Sequence, residues 1–174
     1  ELIWIGGAAM SGTASHFNVS SPFMQSIYGL MGAFAVLLTS ATLVQGIAIW
    51  RNARTGLSPA LHLSIALGLV LTFVLTVLVA GTLASQSGHL IGTPVSGARV
   101  PVLGWSREVG DLRVAHFFAT HALHVLPVAA LLAGALLPQR WGVPAVWGAA
   151  FLFTALVAAS FAGALAGLPF IAEL

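Results

Sequence analysis

The chain contains no cysteine and very little charge. Without cysteine it can form no disulfide bond, thiolate metal site, iron–sulfur ligation or cysteine nucleophile, so histidine, methionine or oxygen must bind any metal or cofactor. Only six basic and four acidic residues occur among 174, whereas about a quarter of a typical soluble domain is charged. Together with a 59% hydrophobic composition, these shortages indicate an integral membrane protein.

Lysine is absent as well, and the few charges lie outside the long apolar runs. Because the arginines form no basic face, nothing indicates nucleic-acid binding. The sequence also has no buried carboxylate pair, no nucleophile elbow and no phosphate-binding glycine loop, so no standard enzyme site is predicted. The charged residues are Glu1, Arg51, Arg54, Arg99, Arg107, Glu108, Asp111, Arg113, Arg140 and Glu173.

Four uncharged runs are long enough to cross a bilayer as helices, which takes about twenty residues. They are residues 27–50, 61–85, 114–137 and 143–171. Because only helices and closed barrels satisfy the backbone in lipid, the runs predict one all-α domain, a polytopic transmembrane helix bundle of four spans. The stretch ELIWIGGAAM at residues 1–10 is too short to cross and predicts at most part of a fifth helix.

The arginines in the short connections indicate an orientation. Arg51, Arg54 and Arg140 lie in the connections 51–58 and 138–142, and such residues favour the cytoplasmic side, which predicts both termini outside. On that orientation the outer side carries three histidines, and His62 lies alone near the inner side. The outer three are His16, His89 and His116. The long outer loop, residues 86–112, is of the kind that is usually functional or packed over other parts of a protein.

Two runs carry small residues at a spacing of four, the pattern by which membrane helices approach closely. In the second run they are Ser64, Gly68, Thr72, Thr76, Ala80 and Ala84. In the fourth run they are Ala159, Gly163 and Gly167. Both patterns predict helix-packing faces.

The stretch DLRVAHFFATHALHVLP, residues 111–127, places His116, His121 and His124 in one spanning run. At about 100° per residue, His121 and His124 lie on one helix face, near the middle of the membrane. A polar group there needs a partner. One interpretation is that these imidazoles bond to hydroxyls or carbonyls of neighbouring helices. Another is that His121 and His124 bind one metal ion, with a third ligand from His16, His89 or His116.

Two further hypotheses use the same histidines. A b-type haem or another tetrapyrrole needs an imidazole on each open axial face, from two helices, and the pairs His89 with His116 or His16 with His121 fit that need. Alternatively, the histidines form a proton or ion pathway, since imidazole titrates near neutral pH. No other ionisable side chain lies within a span to support such a pathway.

The segment SREVGDLR, residues 106–113, places Glu108 and Asp111 between Arg107 and Arg113 at the start of the third run. Acidic residues suit the positive end of a helix and pair readily with arginine. We therefore interpret both acids as a structural cap of that helix.

The segments HFNVSSPF, GWSREVGDLRVAHFF and HALHVLP resemble parts of uncharacterised small multi-pass inner-membrane proteins of bacteria. The resemblance spans residues 16–127 and implies a helix bundle in a bacterial inner membrane, but it carries no activity or cofactor. With almost no residues outside the membrane and no catalytic set, we expect a non-catalytic subunit or accessory protein, embedded in the bilayer and packed against other membrane subunits. The alternative is a histidine-ligated haem or metal protein in electron transfer.

Overall fold

The computed structural model describes residues 2–172, and this part of the chain is a helix bundle. The helices are α1 (Leu2–Met10), α2 (Pro22–Arg51), α3 (Pro59–Ala84), α4 (Leu112–Thr120), α5 (Ala122–Leu136) and α6 (Gly142–Leu165), with a short 3₁₀ turn at Gln139–Trp141 before α6. Helices α2, α3 and α6 are long and apolar enough to cross a membrane, and α4 with α5 forms a fourth such unit if the bent pair is one span. The predicted fold class is confirmed.

Serine followed by proline starts both α2 and α3. The Ser21 hydroxyl accepts a hydrogen bond from the Met24 N–H at 3.2 Å, and the Ser58 hydroxyl accepts one from the Leu61 N–H at 3.3 Å. Pro22 and Pro59 occupy the first helical position, where a missing N–H costs nothing. These caps satisfy backbone donors that lipid could not.

Helix α3 is the centre of the bundle, since α2, α4, α5 and α6 all pack against it. The small-residue face predicted for this helix is buried at Ser64, Gly68, Thr72 and Thr76, which confirms it as a packing face there, whereas its last two positions are not buried. Helix α2 packs mainly on α3, at a point where Gly46 lies against the backbone of Ala66. Most of α2 is otherwise exposed.

The packing face predicted for the fourth span is wrong. Ala159 is exposed, whereas α6 buries a different face, on which small residues alternate with valines and Phe153. Phe153 and Val157 of α6 pack into a cluster with alanines of α4 and α5. Small residues on both sides, Ala150 of α6 and the alanines of α4 and α5, allow the close approach. The buried α6 residues are Gly142, Val146, Ala150, Phe153, Val157, Ser160 and Ala164.

The third span is broken at His121 and is not one continuous helix. His121 has φ −98° and ψ 1°, and the axes of α4 and α5 differ by 54°. The break frees the Leu123 N–H, which donates to the Thr72 hydroxyl of α3 at 2.9 Å. Gly68 allows this approach, because a Cβ there would lie 3.0 Å from the Ala122 carbonyl oxygen. The bend therefore lies where the chain contacts α3. Pro127 lies further along, inside α5, and not at the bend.

The long loop is folded back on the bundle. It contains a two-residue antiparallel ladder between β1 (Leu90–Ile91) and β2 (Gly110–Asp111). Gly110 lies so close to the end of α6 that an added Cβ would overlap the Ala164 carbonyl. We call the end of the bundle formed by residues 11–21, 85–111 and 166–172 the loop end, and the opposite end, with residues 52–58 and 137–141, the turn end.

We expect Thr72→Val to destabilise the protein by about 1–3 kcal/mol, because the buried Leu123 N–H would lose its acceptor while the side-chain shape stays nearly the same. Thermal unfolding in a mild detergent measures the effect. Thr72→Ser keeps the hydroxyl and should lose clearly less stability. Equal losses in the two variants would contradict a role for this hydrogen bond.

Candidate functional site

Asp111 joins the long loop to α4 at the loop end. Its side chain is 1% exposed and caps α4 by accepting from the Arg113 N–H at 3.1 Å. The same carboxylate accepts from the Arg113 guanidinium at 2.9 and 2.6 Å and from the Ser106 N–H at 3.1 Å. Burial raises the pKa of Asp111, but these hydrogen bonds outweigh it and lower the pKa overall. The carboxylate is thus ionised, and the predicted cap role of Asp111 is confirmed.

Glu108 does not cap the helix. Its carboxylate accepts from the backbone N–H groups of Val95, Ser96 and Ala98 at 2.6, 3.0 and 2.6 Å, and from the Ser96 hydroxyl at 2.9 Å. These donors, the backbone of Ser96 and Val95 first, lower the pKa of Glu108 to about 2. The side chain therefore holds the outer part of the loop in a fixed shape.

A cavity of about 710 Å³ opens at the loop end, between α2, α3, the segment before α2 and the start of α4. Helices α2 and α3 touch at Gly46, but a Cβ added at Gly29 or Gly32 would meet no atom within 4 Å. The two helices therefore diverge towards the loop end and leave this space. It is lined by His16, Phe17, Val19, Gln25, Tyr28, Gly29, Met31, Gly32, Ala35, Ala80, Leu83, Ala84, His89, Arg113 and His116.

Three of the predicted ligand residues, His16, His89 and His116, meet at this cavity although they come from three separate segments. His16 precedes α2 and bonds to the Ser15 hydroxyl at 2.9 Å, with its ring edge-on to Tyr28. His89 follows α3, and its carbonyl accepts from the Leu112 N–H at 3.0 Å. The first turns of α4 supply His116. Their predicted location on one side of the bundle agrees with this arrangement.

Two of these imidazoles lack partners within residues 2–172. The His89 Nε2 and His116 Nδ1 atoms are buried and form no hydrogen bond there. Burial, reinforced by the nearby Arg113 guanidinium, lowers the pKa of His89, so its ring is neutral near pH 7 and keeps a lone pair. An unpartnered ring nitrogen in an apolar setting costs free energy, so these two rings are held in place by the packing around them rather than by hydrogen bonds.

The lining suits an amphipathic ligand with acidic groups. The walls are mostly apolar, the polar side chains include an arginine, and none of the lining residues is acidic. A cavity of this size lies within the range typical of small-molecule sites. Among residues 2–172, however, no group of three or more His, Asp or Glu side chains could hold a bare metal ion.

His121 and His124 lie outside this cavity, on the outward face of α4 and α5. Their ring centroids are 5.5 Å apart, so they share a face, as the helical spacing predicts. The His121 Nδ1–H donates to the Phe117 carbonyl at 2.6 Å, and the Phe117 ring stacks on His121 at 4.1 Å. The structure brings no third ligand to this pair within the described residues.

His62 has a structural role at the turn end. Its Nε2–H donates to the Ile49 carbonyl near the end of α2 at 2.6 Å. The bond joins α3 to the last turns of α2, where carbonyls lack partners within the helix. One interpretation of the sequence has His121 and His124 forming hydrogen bonds to carbonyls of neighbouring helices. The structure has such a bond at His62 instead.

The sequence did not single out Arg113, Tyr28 or Gln25 as site residues. One signal was present for Arg113, which follows Asp111 by two positions and so can fold back on it. A second signal, for Tyr28, was that it is the one tyrosine of the chain. Neither position predicts a cavity, because the divergence of α2 from α3 depends on tertiary packing.

Comparisons with models of protein families, with curated proteins and with solved structures found no match.

We expect Glu108→Gln to lower the hydrogen-exchange protection of the amides at 95, 96 and 98 near pH 7. Because the folded pKa of Glu108 is about 2 and the ordinary value is 4.5, its stabilising effect is complete above about pH 4.5 and is lost as the pH falls through 2. Protection factors corrected for intrinsic exchange should therefore converge between wild type and variant near pH 2. A difference that does not change with pH would contradict the role of the charge.

Proposed function

We propose that this protein binds a b-type haem in the loop-end cavity and works in electron transfer at the outer side of the membrane. The observation that carries the proposal is the convergence of His16, His89 and His116 on one large, mostly apolar cavity. Two imidazoles from different segments are what axial ligation of haem requires.

His89 and His116 are the proposed axial ligands. Both line the cavity together with Arg113, and none of the lining residues is acidic. Met31, Ala80 and Leu83 supply apolar surface that would exclude water from a porphyrin face. A bound haem would supply one-electron redox chemistry, while these residues would bind and orient it.

The test is a reduced-minus-oxidised visible spectrum of the protein purified in mild detergent. We expect haem bands in about equimolar amount, and a loss of about tenfold or more in bound haem for His89→Ala and for His116→Ala, because each change removes one ligand. His124→Ala is the matched control, since that ring is exposed and lies outside the cavity.

Three results would overturn the haem proposal. One is a wild-type spectrum without haem bands, both as purified and after incubation with hemin. Another is full haem content in both His89→Ala and His116→Ala. The third is an equal loss in the His124→Ala control, which would indicate a general effect on folding.

We also propose that the protein is a subunit of a larger assembly in a bacterial inner membrane, with both termini outside. Arg51, Arg54 and Arg140 at the turn end favour this orientation. The assembly is supported by the exposed His124, since a polar side chain facing hydrocarbon is costly and usually contacts protein.

Native membranes solubilised in a mild detergent provide the test of assembly. We expect the protein to migrate in native electrophoresis at a mass well above one chain plus its detergent micelle, because the polar face is covered by protein. The chain refolded alone at high dilution serves as the reference. Identical migration of the two samples would count against the assembly.

A further inference from the structure

The outward face of α5 carries a polar group at membrane depth. His124 lies twelve residues after the start of α4, or about 18 Å along the bent pair, which places it near the middle of a ~30 Å hydrocarbon core. Its side chain is exposed, and none of the hydrogen bonds of residues 2–172 involves its ring. Lipid offers no hydrogen-bond partner at this depth.

The neighbouring ring has a defined tautomer. A carbonyl oxygen only accepts hydrogen bonds, so the 2.6 Å contact between His121 Nδ1 and the Phe117 carbonyl places the proton on Nδ1. In this tautomer Nε2 has the lone pair and can only accept there. The stacked Phe117 ring holds His121 in this orientation.

His124 supplies the complementary group. A neutral imidazole always has one N–H donor, and in His124 that donor has no partner within the described chain. One face therefore presents both an acceptor, His121 Nε2, and a donor, the His124 N–H. The centroids of the two rings are 5.5 Å apart. Such a surface is complementary to a copy of itself related by a two-fold axis.

We propose that a second copy of this chain binds to this face, with His124 of each copy donating to His121 of the other. This inference rests on the proposal that the protein is a subunit of an assembly, and it identifies the partner. The exposed side of α5 includes four residues at a spacing of four, three and four, which suits left-handed packing of two helices with one polar position fixing the register. They are His124, Val128, Leu131 and Ala135.

The absence of native cysteine permits a direct test in membranes. Val128→Cys places a single thiol on the proposed interface, and Leu38→Cys is the matched control, because Leu38 is 75% exposed on α2 at the far side of α3. With a short bifunctional maleimide we expect a crosslinked species of twice the chain mass from Val128→Cys and none from Leu38→Cys.

The histidines are tested in the Val128→Cys background. Each hydrogen bond between membrane helices strengthens association about threefold, so His124→Leu, which removes both reciprocal bonds, should weaken dimerisation about tenfold. His124 is exposed, so this variant should keep its fold, and an unchanged melting temperature in detergent would confirm that. An undiminished dimer would overturn the histidine pairing.

The remaining outcomes separate the two proposals. A crosslink from Val128→Cys to a different protein would overturn the second-copy inference and leave the subunit proposal standing. No crosslink to any protein in native membranes would overturn the inference and count against the subunit proposal as well. Loss of the dimer on adding a metal chelator would indicate that a shared metal ion, and not hydrogen bonds, joins the two copies. That result would overturn the proposed histidine pairing.

Discussion

The loop end of this protein depends on one buried carboxylate. Asp111 ends the strand that closes the long loop, caps α4 and neutralises Arg113. Because a buried charge is tolerated only when it is paired and hydrogen-bonded, the loop, the helix start and the arginine must all be present together. The positions of His89 and His116 follow from this junction, since one precedes the ladder and the other lies five residues after the cap.

Elsewhere most polar side chains of the bundle bond locally, although the buried Thr76 hydroxyl has no partner among the described residues. Hydroxyls of Ser40, Ser64 and Ser160 bond to carbonyls of their own helices, and Thr72 accepts the N–H freed at the helix break. Against this background the imidazoles without partners are distinctive. They fall in two places, the loop-end cavity and the outward face of α5, and both of our proposals rest on that distribution.

Much of the fold could be predicted from the sequence, because apolar runs and flanking Ser-Pro pairs are local signals. The small-residue face of α3 was also predictable, whereas the buried face of α6 was not, since which side of α6 meets α4 and α5 depends on tertiary packing. The break at His121 is accompanied by a hydrogen bond from Leu123 to Thr72, 51 positions away in the chain, so no local pattern indicates it. The sequence predicted that His16, His89 and His116 lie on the same side of the membrane. It could not predict the cavity that they line, because the cavity depends on how α2 and α3 pack in three dimensions.

The length of α2 has a consequence for how the lipid environment acts on the protein. Its 30 residues extend about 45 Å, well beyond a ~30 Å hydrocarbon core, so the helix must tilt or project. Only Met31 and Gly46 of this helix are buried, and its loop-end half forms one wall of the cavity. A change in bilayer thickness would change the tilt of α2 and, with it, the width of the cavity, so hydrophobic mismatch would be a mechanical input to the proposed binding site.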